Sequence, residues 1–300
     1  MARHLKDGGD ADGAATCERA ARQCFRWCVG GRRRHTCTSL AAAVLACVEL
    51  DRALGGEQFR AAAADFGRQL VALQADGPER GLFLRSETVR EPAREIMYGN
   101  LPLLALCALL VRFPAALDAD RWRNALDLHT QYLSEMAGRS AFGTIPFGVY
   151  YNADPGGDRR IGPHWYRWFM KVKGENPSAP DWWVGINAHL ASNGIGLARA
   201  VRLLADPRLH VLAQRQLDWI IGMNPFNACT ITSIGLNQPR LFTTGEFKPT
   251  TPLIPGGVMN GLGGTESDSP ALMPGSYHTC EYWTPMVAYT MMLMAELAAK

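Results

Sequence analysis

Apolar side chains recur along most of the chain with the period of an amphipathic helix. The clearest stripe runs through Trp122, Leu126, His129, Leu133 and Met136, behind an acidic helix cap at position 118 or 120. The same pattern predicts seven further helices: 14–29, from 38 or 39 through 48, 58–75, 93–113 (bent or restarted near 99–102), 182–204, 208–221 and from 283 to the end. Strands do not alternate with helices, so we predict an all-α fold of stacked helical hairpins and no doubly wound sheet.

Two predicted connections, at about 138–180 and 222–276, are far longer than a compact helical domain needs. They are rich in Trp, Tyr, Phe, His and Asn, which argues against disorder. They also hold many of the 30 glycines and 18 prolines of the chain. We interpret them as rigid, irregular loops that build a site on a helical scaffold.

The charge of the chain is nearly balanced, because 31 basic and 28 acidic side chains give a formal net charge of +3. We therefore expect no nucleic-acid partner. The longest apolar runs, 40–48 and 101–111, are about half the roughly 20 residues that a membrane helix needs, so we expect no membrane partner. The first residues lack the apolar stretch of a secretory signal. The chain as it stands is predicted to be cytoplasmic, or secreted or periplasmic if a further segment precedes it.

Five of the eight cysteines fall between positions 17 and 47. Their spacing follows helices, and no signal peptide is present, so we expect no disulfide framework. Cys24, Cys28, His35 and Cys37 are of types that bind zinc, but there is no Cys-x-x-Cys pair, and cysteine is a common buried apolar residue. We predict no metal site. The basic run 32–35 follows a glycine pair and is interpreted as a solvated loop.

The last predicted helix is apolar on every side, so we expect it to be buried all round. Glu281 stands just before its first turn, in the segment 277–283 (YHTCEYW). A carboxyl group among aromatic residues at the mouth of a buried helix suits a general acid. The alternative is a glutamate that caps the helix N-terminus, where the helix dipole favours negative charge.

Four segments occur in the order and spacing of motifs in glycoside hydrolase family 9. Residues 216–226 (QLDWIIGMNPF) resemble its LGxNP stretch, and Ile234-Gly235 with 237–240 (NQPR) resemble the following Gly-x-Gly and Pro-His-His-Arg region. Residues 255–258 (PGGV) with 263–264 resemble its PGxLxGGPN loop, and Glu281 with 282–285 (YWTP) resembles the element that carries the proton donor. The resemblance covers about residues 181–300. It implies an (α/α)6 toroid and inverting hydrolysis of β-linked glucans, with Glu281 as general acid and no cofactor.

The sequence departs from the family pattern in two ways. Gln238-Pro239 stands where His-His precedes Arg240, so sugar recognition is expected to differ from that of cellulases. The Asp-Ala-Gly-Asp motif, the family's source of the catalytic base, is absent, and residues 7–10 (DGGD) are only superficially similar. With about eight helices instead of twelve, the chain is interpreted as a single toroid catalytic domain, 1–300, that lacks its N-terminal portion.

Inverting hydrolysis needs a second carboxyl group roughly 6.5–9.5 Å from the acid. Glu246 is the first choice for this base, because it shares a long loop with Arg240. Asp181, Glu91 and Glu95 remain alternatives. Each of these carboxylates is otherwise a helix cap or a salt-bridge partner, the usual role of exposed carboxylates.

The sugar cleft is predicted from residues of the long loops and the last segment. Sugar rings stack on indoles, and polar side chains bind their hydroxyl groups. The predicted substrate-binding residues are Trp165, Trp168, Trp182, Trp183, His189, Arg240, Tyr277, His278 and Trp283, with His164 as a further hydroxyl contact. The alternatives are that individual tryptophans fill the core and that the histidines are hydrogen-bonded structural residues.

These features predict an inverting glycoside hydrolase that acts on a neutral or modestly anionic β-linked oligo- or polysaccharide. They predict no oligomeric state. One rival is a uronate-specific hydrolase or polysaccharide lyase of the same architecture, in which Tyr277 or His278 is the base and Arg240 neutralises the carboxylate. The other rival is a truncated sugar-binding protein without activity, which the missing base favours.

Overall fold

The computed structural model describes residues 2–30, 35–94, 99–151, 160–170, 185–242 and 252–299. Its helices are α1 Ala2–Asp7, α2 Ala11–Val29, α3 Cys37–Leu54, α4 Glu57–Ala72, α5 Leu101–Arg112, α6 Ala119–Ala137, α7 Asn187–Leu204, α8 Arg208–Ile221, α9 Tyr277–Cys280 and α10 Thr284–Ala298. Its strands are β1 Gly148–Tyr150, β2 Arg160–Ile161, β3 His164–Arg167, β4 Gly263–Gly264 and β5 Pro270–Ala271. The predicted all-α class is confirmed. None of the described helices combines the length and apolar content needed to cross a membrane.

The helix predicted at 93–113 begins only at Leu101. Gly99 has a φ of +59°, in the left-handed region that favours glycine. Asn100 then caps the helix, because its side-chain oxygen accepts a hydrogen bond from the backbone N–H of Leu103 at 3.2 Å. Pro102 lies in the first turn, where a backbone N–H has no helical partner to lose. Local cap chemistry therefore overrides the apolar pattern at this point.

The long helices form two layers of hairpins. Short connections join α3 to α4, α5 to α6 and α7 to α8, and positive φ angles at Gly55, Gly56 and Ala205 reverse the chain direction. The helices α3, α5, α7 and α10 contact one another in this order, and α4, α6 and α8 pack along them as a second layer. We call the first four the inner helices and the other three the outer helices.

The four inner helices run parallel. Residues near their N-terminal ends, Thr38 of α3, Asn100 at the cap of α5 and His189 of α7, line one pocket. Residues near their C-terminal ends line another, at positions 49 and 52 of α3, 108 and 111 of α5, 199 and 202 of α7 and 296 of α10. All four inner helices therefore begin at the same end of the molecule and form an arc with the outer helices around it.

Two small antiparallel sheets were not predicted. In the first, β3 lies between β1 and β2, with Val149 opposite Tyr166 and Ile161 opposite His164. In the second, β4 pairs with β5. These strands have two to four residues, too few for an alternating pattern to stand out in the sequence.

The prediction that the last helix is buried on all sides is wrong. In α10, Met286 and Leu293 are fully buried, whereas Met291 is 64% exposed and Met294 is 40% exposed. The buried side packs on α7 and α8. Because α10 is the last inner helix, its main contacts with the described residues are on the side that faces α7 and α8. An apolar sequence leads to burial only where another element covers it.

The central inner helix, α7, carries glycines that face both of its inner neighbours. A Cβ atom at Gly194 would lie 2.8 Å from Cδ1 of Leu293 in α10, and a Cβ atom at Gly196 would lie 2.3 Å from Cγ of Leu103 in α5. Both distances are shorter than packed carbon atoms allow. The missing side chains therefore let α5 and α10 approach α7 closely.

His129, on α6, links three parts of the chain. It is 3% exposed. Its Nδ1 forms a 2.8 Å hydrogen bond with the carbonyl oxygen of Gly81, and its Nε2 forms one of 2.8 Å with the side-chain amide of Asn100. The carbonyl oxygen of Gly81 can only accept, so Nδ1 carries the proton. The amide N–H of Asn100 donates, so Nε2 is the acceptor. Burial lowers the pKa of His129 to about 4, so the ring is neutral near pH 7.

We expect Gly196→Ala to lower the free energy of unfolding by about 1 kcal/mol, even though alanine favours a helix over glycine by about the same amount. The added methyl group overlaps the buried Leu103 side chain, and overpacking costs about 1–3 kcal/mol. Urea unfolding measures the change. Leu103→Ala should cost less in the Gly196→Ala background than in the wild type, because it removes the overlap. Additive effects in this double-mutant cycle would contradict the packing argument.

We expect stability to fall as the pH falls from about 6.5 to 4. The pKa of His129 is about 4 in the folded chain and about 6.5 in an unfolded one, so unfolding takes up a proton in this window. Between pH 7 and pH 5, this proton uptake should lower the free energy of unfolding by roughly 2 kcal/mol. Urea unfolding of His129→Gln should show a smaller loss over that interval. His210→Gln, at an exposed site on α8, is the matched control and should keep the wild-type loss; equal losses in all three proteins would exclude His129 as the source.

Candidate active site

Glu281 lies in the short extended segment between α9 and α10, at the end where the inner helices begin. Its side chain is partly exposed. The indole N–H of Trp283 donates a 2.6 Å hydrogen bond to its Oε2, and the backbone N–H of Asn260 donates one of 2.9 Å to its carbonyl oxygen. Trp283 therefore orients the carboxyl group through one of its two oxygens.

Glycines hold this segment against the start of α7. The N–H of Gly261 donates to the carbonyl oxygen of Thr279 at 3.1 Å, and the N–H of Gly185 donates to that of His278 at 2.8 Å. A Cβ atom at Gly185 would lie 2.1 Å from the carbonyl oxygen of Gly261, so only glycine allows this approach. The segment that carries Glu281 is thus fixed beside the N-terminal end of α7.

A pocket lies at the same end of the inner helices. Most of its lining is apolar, with a few convergent polar groups, a balance typical of small-molecule sites. The polar lining residues are Thr38, Arg94, Asn100, His129, His189 and Asn193. The pocket is therefore built from the N-terminal parts of three inner helices, from one face of α6 and from the α4–α5 and α6–α7 connections.

The pocket histidines are neutral near pH 7. Nε2 of His189 donates to the carbonyl oxygen of Pro146 at 3.0 Å, and burial lowers its pKa to about 4, as it does for His129. The side-chain amide of Asn100 donates both to Nε2 of His129 and to Oδ1 of Asn193, each at 2.8 Å. The amide and imidazole groups thus form a connected, uncharged network.

Arg94 is the cation of the described pocket lining, and its guanidinium is already bound. Its Nη1 donates to the carbonyl oxygen of Val149 at 2.9 Å, and its guanidinium carbon lies 4.0 Å from the ring centroid of Tyr150. A ligand carboxylate would have to compete with both contacts. The described lining therefore suits an uncharged polar ligand.

Several predicted substrate-binding residues gather close to Glu281. The ring of Tyr277 stacks on that of His278 at 4.1 Å between centroids. The exposed Arg240 lies next to Gly275, whose N–H donates to its carbonyl oxygen at 2.7 Å. Burial lowers the pKa of His278 to about 4. The structure thus places Arg240 beside the start of the segment in which Tyr277 and His278 stack and which leads to the candidate acid.

The prediction that Trp168 stacks on sugar is wrong. Trp168 is 3% exposed, and its indole N–H donates to the carbonyl oxygen of Thr144 at 3.0 Å. Its side chain lies in the core, as does that of Tyr166 two residues earlier. Trp165 is partly exposed instead, with the guanidinium carbon of Arg160 4.6 Å from its ring centroid.

Other predicted residues lie outside the described part of the chain, namely Trp182, Trp183, Glu246, Asp181 and Glu95. Their roles stay predictions. Glu91 is described and partly exposed, and its carbonyl oxygen accepts a hydrogen bond from the N–H of Arg85 at 2.7 Å.

Sequence reasoning missed most of the polar pocket residues, including Asn100 and Asn193. One signal was present: His129 falls on the apolar stripe of its helix, and a polar residue on a buried stripe needs hydrogen-bond partners. Those partners come from distant parts of the chain, so the pattern of a single helix does not identify them.

Within the described residues, no group of three or more His, Cys, Asp or Glu is placed to hold a metal ion. None of the cysteines considered for zinc forms a disulfide within the described residues; Cys37 is buried at the start of α3, and Cys24 is exposed on α2.

The chain matches no protein-family profile and no curated protein sequence. It does match solved structures. The cellulase Cel9M of C. cellulolyticum is 15% identical, with a TM-score of 0.62 over 99% of this chain and 60% of its own. A metagenome-derived glycoside hydrolase family 9 endoglucanase is 16% identical, with a TM-score of 0.61 over 100% of this chain and 50% of its own. A glycosyl hydrolase of family 88 from Bacteroides vulgatus is 11% identical, with a TM-score of 0.51 over 99% and 71%.

At these identities the similarity shows the fold alone. The chain spans about half to 60% of the length of the family 9 structures it matches. The resemblance read from the sequence is confirmed at this level: the chain has the helical-hairpin fold of the (α/α) toroid glycosidases, and its structure is similar to those of family 9.

Proposed function

We propose that the chain is a glycoside hydrolase that cleaves a β-linked oligo- or polysaccharide with inversion, and that Glu281 is its general acid. The observation that carries this proposal is the position of Glu281. It is a partly exposed carboxyl group, oriented by Trp283, at the end of the inner helices that also holds the pocket with its uncharged amide–imidazole network. The structural neighbours, named as a cellulase and an endoglucanase, support the substrate class.

The contact with Trp283 suggests how the acid works. Because the indole N–H donates to Oε2, Oε1 is the oxygen that carries the acid proton. In the reaction, Oε1 protonates the glycosidic oxygen while the bond to the anomeric carbon breaks. A water molecule attacks that carbon from the opposite face of the ring, which inverts its configuration.

The pocket favours a neutral substrate over a uronate. Neutral His129 and His189 offer hydrogen bonds without charge, and the guanidinium of Arg94 is held by Val149 and Tyr150. Apolar lining residues suit the faces of a sugar ring, and the amides of the network suit its hydroxyl groups.

A second candidate is a uronate-specific hydrolase or lyase, which the guanidinium of the exposed Arg240 favours, because it lies beside Gly275, two residues before Tyr277. A lyase needs a base to remove a ring proton. His278 is a weak proton acceptor near neutral pH, because burial lowers its pKa to about 4, which leaves Tyr277 for that role. The products separate the two reactions, since elimination creates a C=C bond that absorbs ultraviolet light and hydrolysis does not.

We expect Glu281→Gln to keep the fold and to lower the hydrolysis of substrates with poor leaving groups by about 10²–10⁴-fold. Aryl glycosides whose leaving groups need no proton should lose much less activity. Steady-state rates on both substrate types test this. Glu135→Gln, at an exposed site on α6, is the matched control and should retain wild-type rates. Unchanged turnover of Glu281→Gln on the poor leaving group would remove this residue from the mechanism.

We expect a neutral β-linked oligosaccharide to raise the Tm of the chain, and a uronate oligosaccharide of equal length to raise it less. Asn193→Ala should reduce the response, because it breaks the uncharged network of the pocket. Thermal unfolding with increasing ligand concentration measures the shift. A larger shift with the uronate would favour the second candidate, and a shift without turnover would favour the sugar-binding rival.

A further inference from the structure

Glu79, in the connection between α4 and α5, is a buried carboxyl group with three hydrogen-bond donors. It is 3% exposed, and carboxyl groups are seldom buried unless they are paired. Nδ1 of His164 forms a short hydrogen bond with Oε1. The hydroxyl of Tyr166 donates to the same oxygen at 3.2 Å, and that of Tyr151 donates to Oε2 at 3.4 Å.

His164 and Glu79 form a carboxylate–imidazole dyad. A carboxylate bound at Nδ1 holds the proton there, keeps the lone pair on Nε2 and stabilises the imidazolium that forms when Nε2 accepts a proton. The ring of Tyr151 stacks on that of His164 at 3.9 Å between centroids and fixes its plane. The side chain of His164 is 18% exposed, whereas that of Glu79 is 3% exposed. The imidazole, not the carboxylate, is therefore the group that reaches a ligand.

The dyad and the pocket share elements of the chain. Leu82 and Phe83, which follow Glu79 closely in the same connection, line the pocket. Val149 also lines it and pairs with Tyr166 across β1 and β3. The dyad and the pocket are thus built from the same connection and the same small sheet.

Two other histidines at this end of the molecule differ from His164 in their partners. His129 and His189 bind backbone carbonyl groups, and burial lowers the pKa of each to about 4. No carboxylate stabilises a proton on either ring through these bonds. The ring of His164 is instead bonded to a carboxylate.

We propose that His164 is the general base of the hydrolytic reaction and that Glu79 is its positioning residue. The inference rests on the proposed function. It names a proton acceptor among the described residues, in place of the predicted base Glu246.

In this step, Nε2 of His164 removes a proton from a water molecule while the water oxygen forms a bond to the anomeric carbon. The electron pair of the breaking C–O bond goes to the glycosidic oxygen, which takes the proton of Glu281. The products are a hemiacetal sugar of inverted configuration and an alcohol. Glu281 is left as a carboxylate and His164 as an imidazolium beside Glu79, and solvent returns the proton from His164 to Glu281.

The test compares His164→Asn, Glu79→Gln and Glu79→Asp with the wild type on two glycosides, one with a poor and one with a good leaving group. Activation of water is needed for both substrates. His164→Asn should therefore lower kcat by about 10²-fold or more on both, with KM within about threefold. Glu281→Gln should spare the substrate with the good leaving group.

Glu79→Gln should lower kcat on both substrates, as His164→Asn does. Glu79→Asp should restore part of the lost kcat, because a shorter carboxylate still pairs with the imidazole.

Two controls keep the result interpretable. His210→Asn, at an exposed site on α8, should retain wild-type rates. The downfield N–H resonance of an imidazole bound to a carboxylate, observed by proton NMR, should be present in the wild type and absent from both His164→Asn and Glu79→Gln. If these variants keep the circular-dichroism spectrum of the wild type, a loss of kcat reports chemistry and not unfolding.

Three outcomes overturn the inference. A His164→Asn variant within threefold of the wild-type kcat would overturn it alone and leave the proposed function standing. The inference alone would also be overturned if His164→Asn lost activity only on the glycoside with the poor leaving group, because that pattern is expected for a general acid and not for a base. A wild-type chain that hydrolyses neither glycoside, or that forms an ultraviolet-absorbing unsaturated product, would overturn the proposed function together with the inference.

Discussion

The close packing on both sides of α7 is the constraint on which the rest of the structure depends. Gly194 and Gly196 present no side chain to the inner neighbours, so Leu293 of α10 and Leu103 of α5 occupy that space. Because cores are packed at nearly crystalline density, this contact fixes how the inner helices lie side by side. The inner helices begin at one end of the molecule, and that end holds the pocket and Glu281.

Polar groups at this end are arranged in two different ways. Around the pocket, Asn100 caps α5 through its oxygen and links His129 to Asn193 through its nitrogen. One side chain thus serves the fold and the uncharged network together. In the connection between α4 and α5, Glu79 instead accepts hydrogen bonds from three donors on one buried carboxyl group. A neutral network suits binding, whereas a carboxylate–imidazole pair suits proton transfer, and it is on this difference that the proposed role of His164 rests.

The period of the apolar residues predicted most helices, because most of them bury one face and expose the other. It failed where another influence was stronger. The cap at Asn100 moved the start of α5, and the position of α10 at the end of the arc left Met291 exposed despite an apolar sequence. Aromatic density on the loops indicated a site but did not separate Trp165, which is partly exposed, from Trp168, which is in the core.

The sequence by itself determined the helical class, the long loops and the segment that carries Glu281, because these follow from local periodicity, glycine and proline content and motif order. Only the tertiary structure decided which residues share a site. Glu79 and His164 are 85 positions apart, and Asn100 and Asn193 are 93 apart. Contacts at such separations depend on how the inner helices pack and not on local preference, so no pattern along one segment of the chain reveals them.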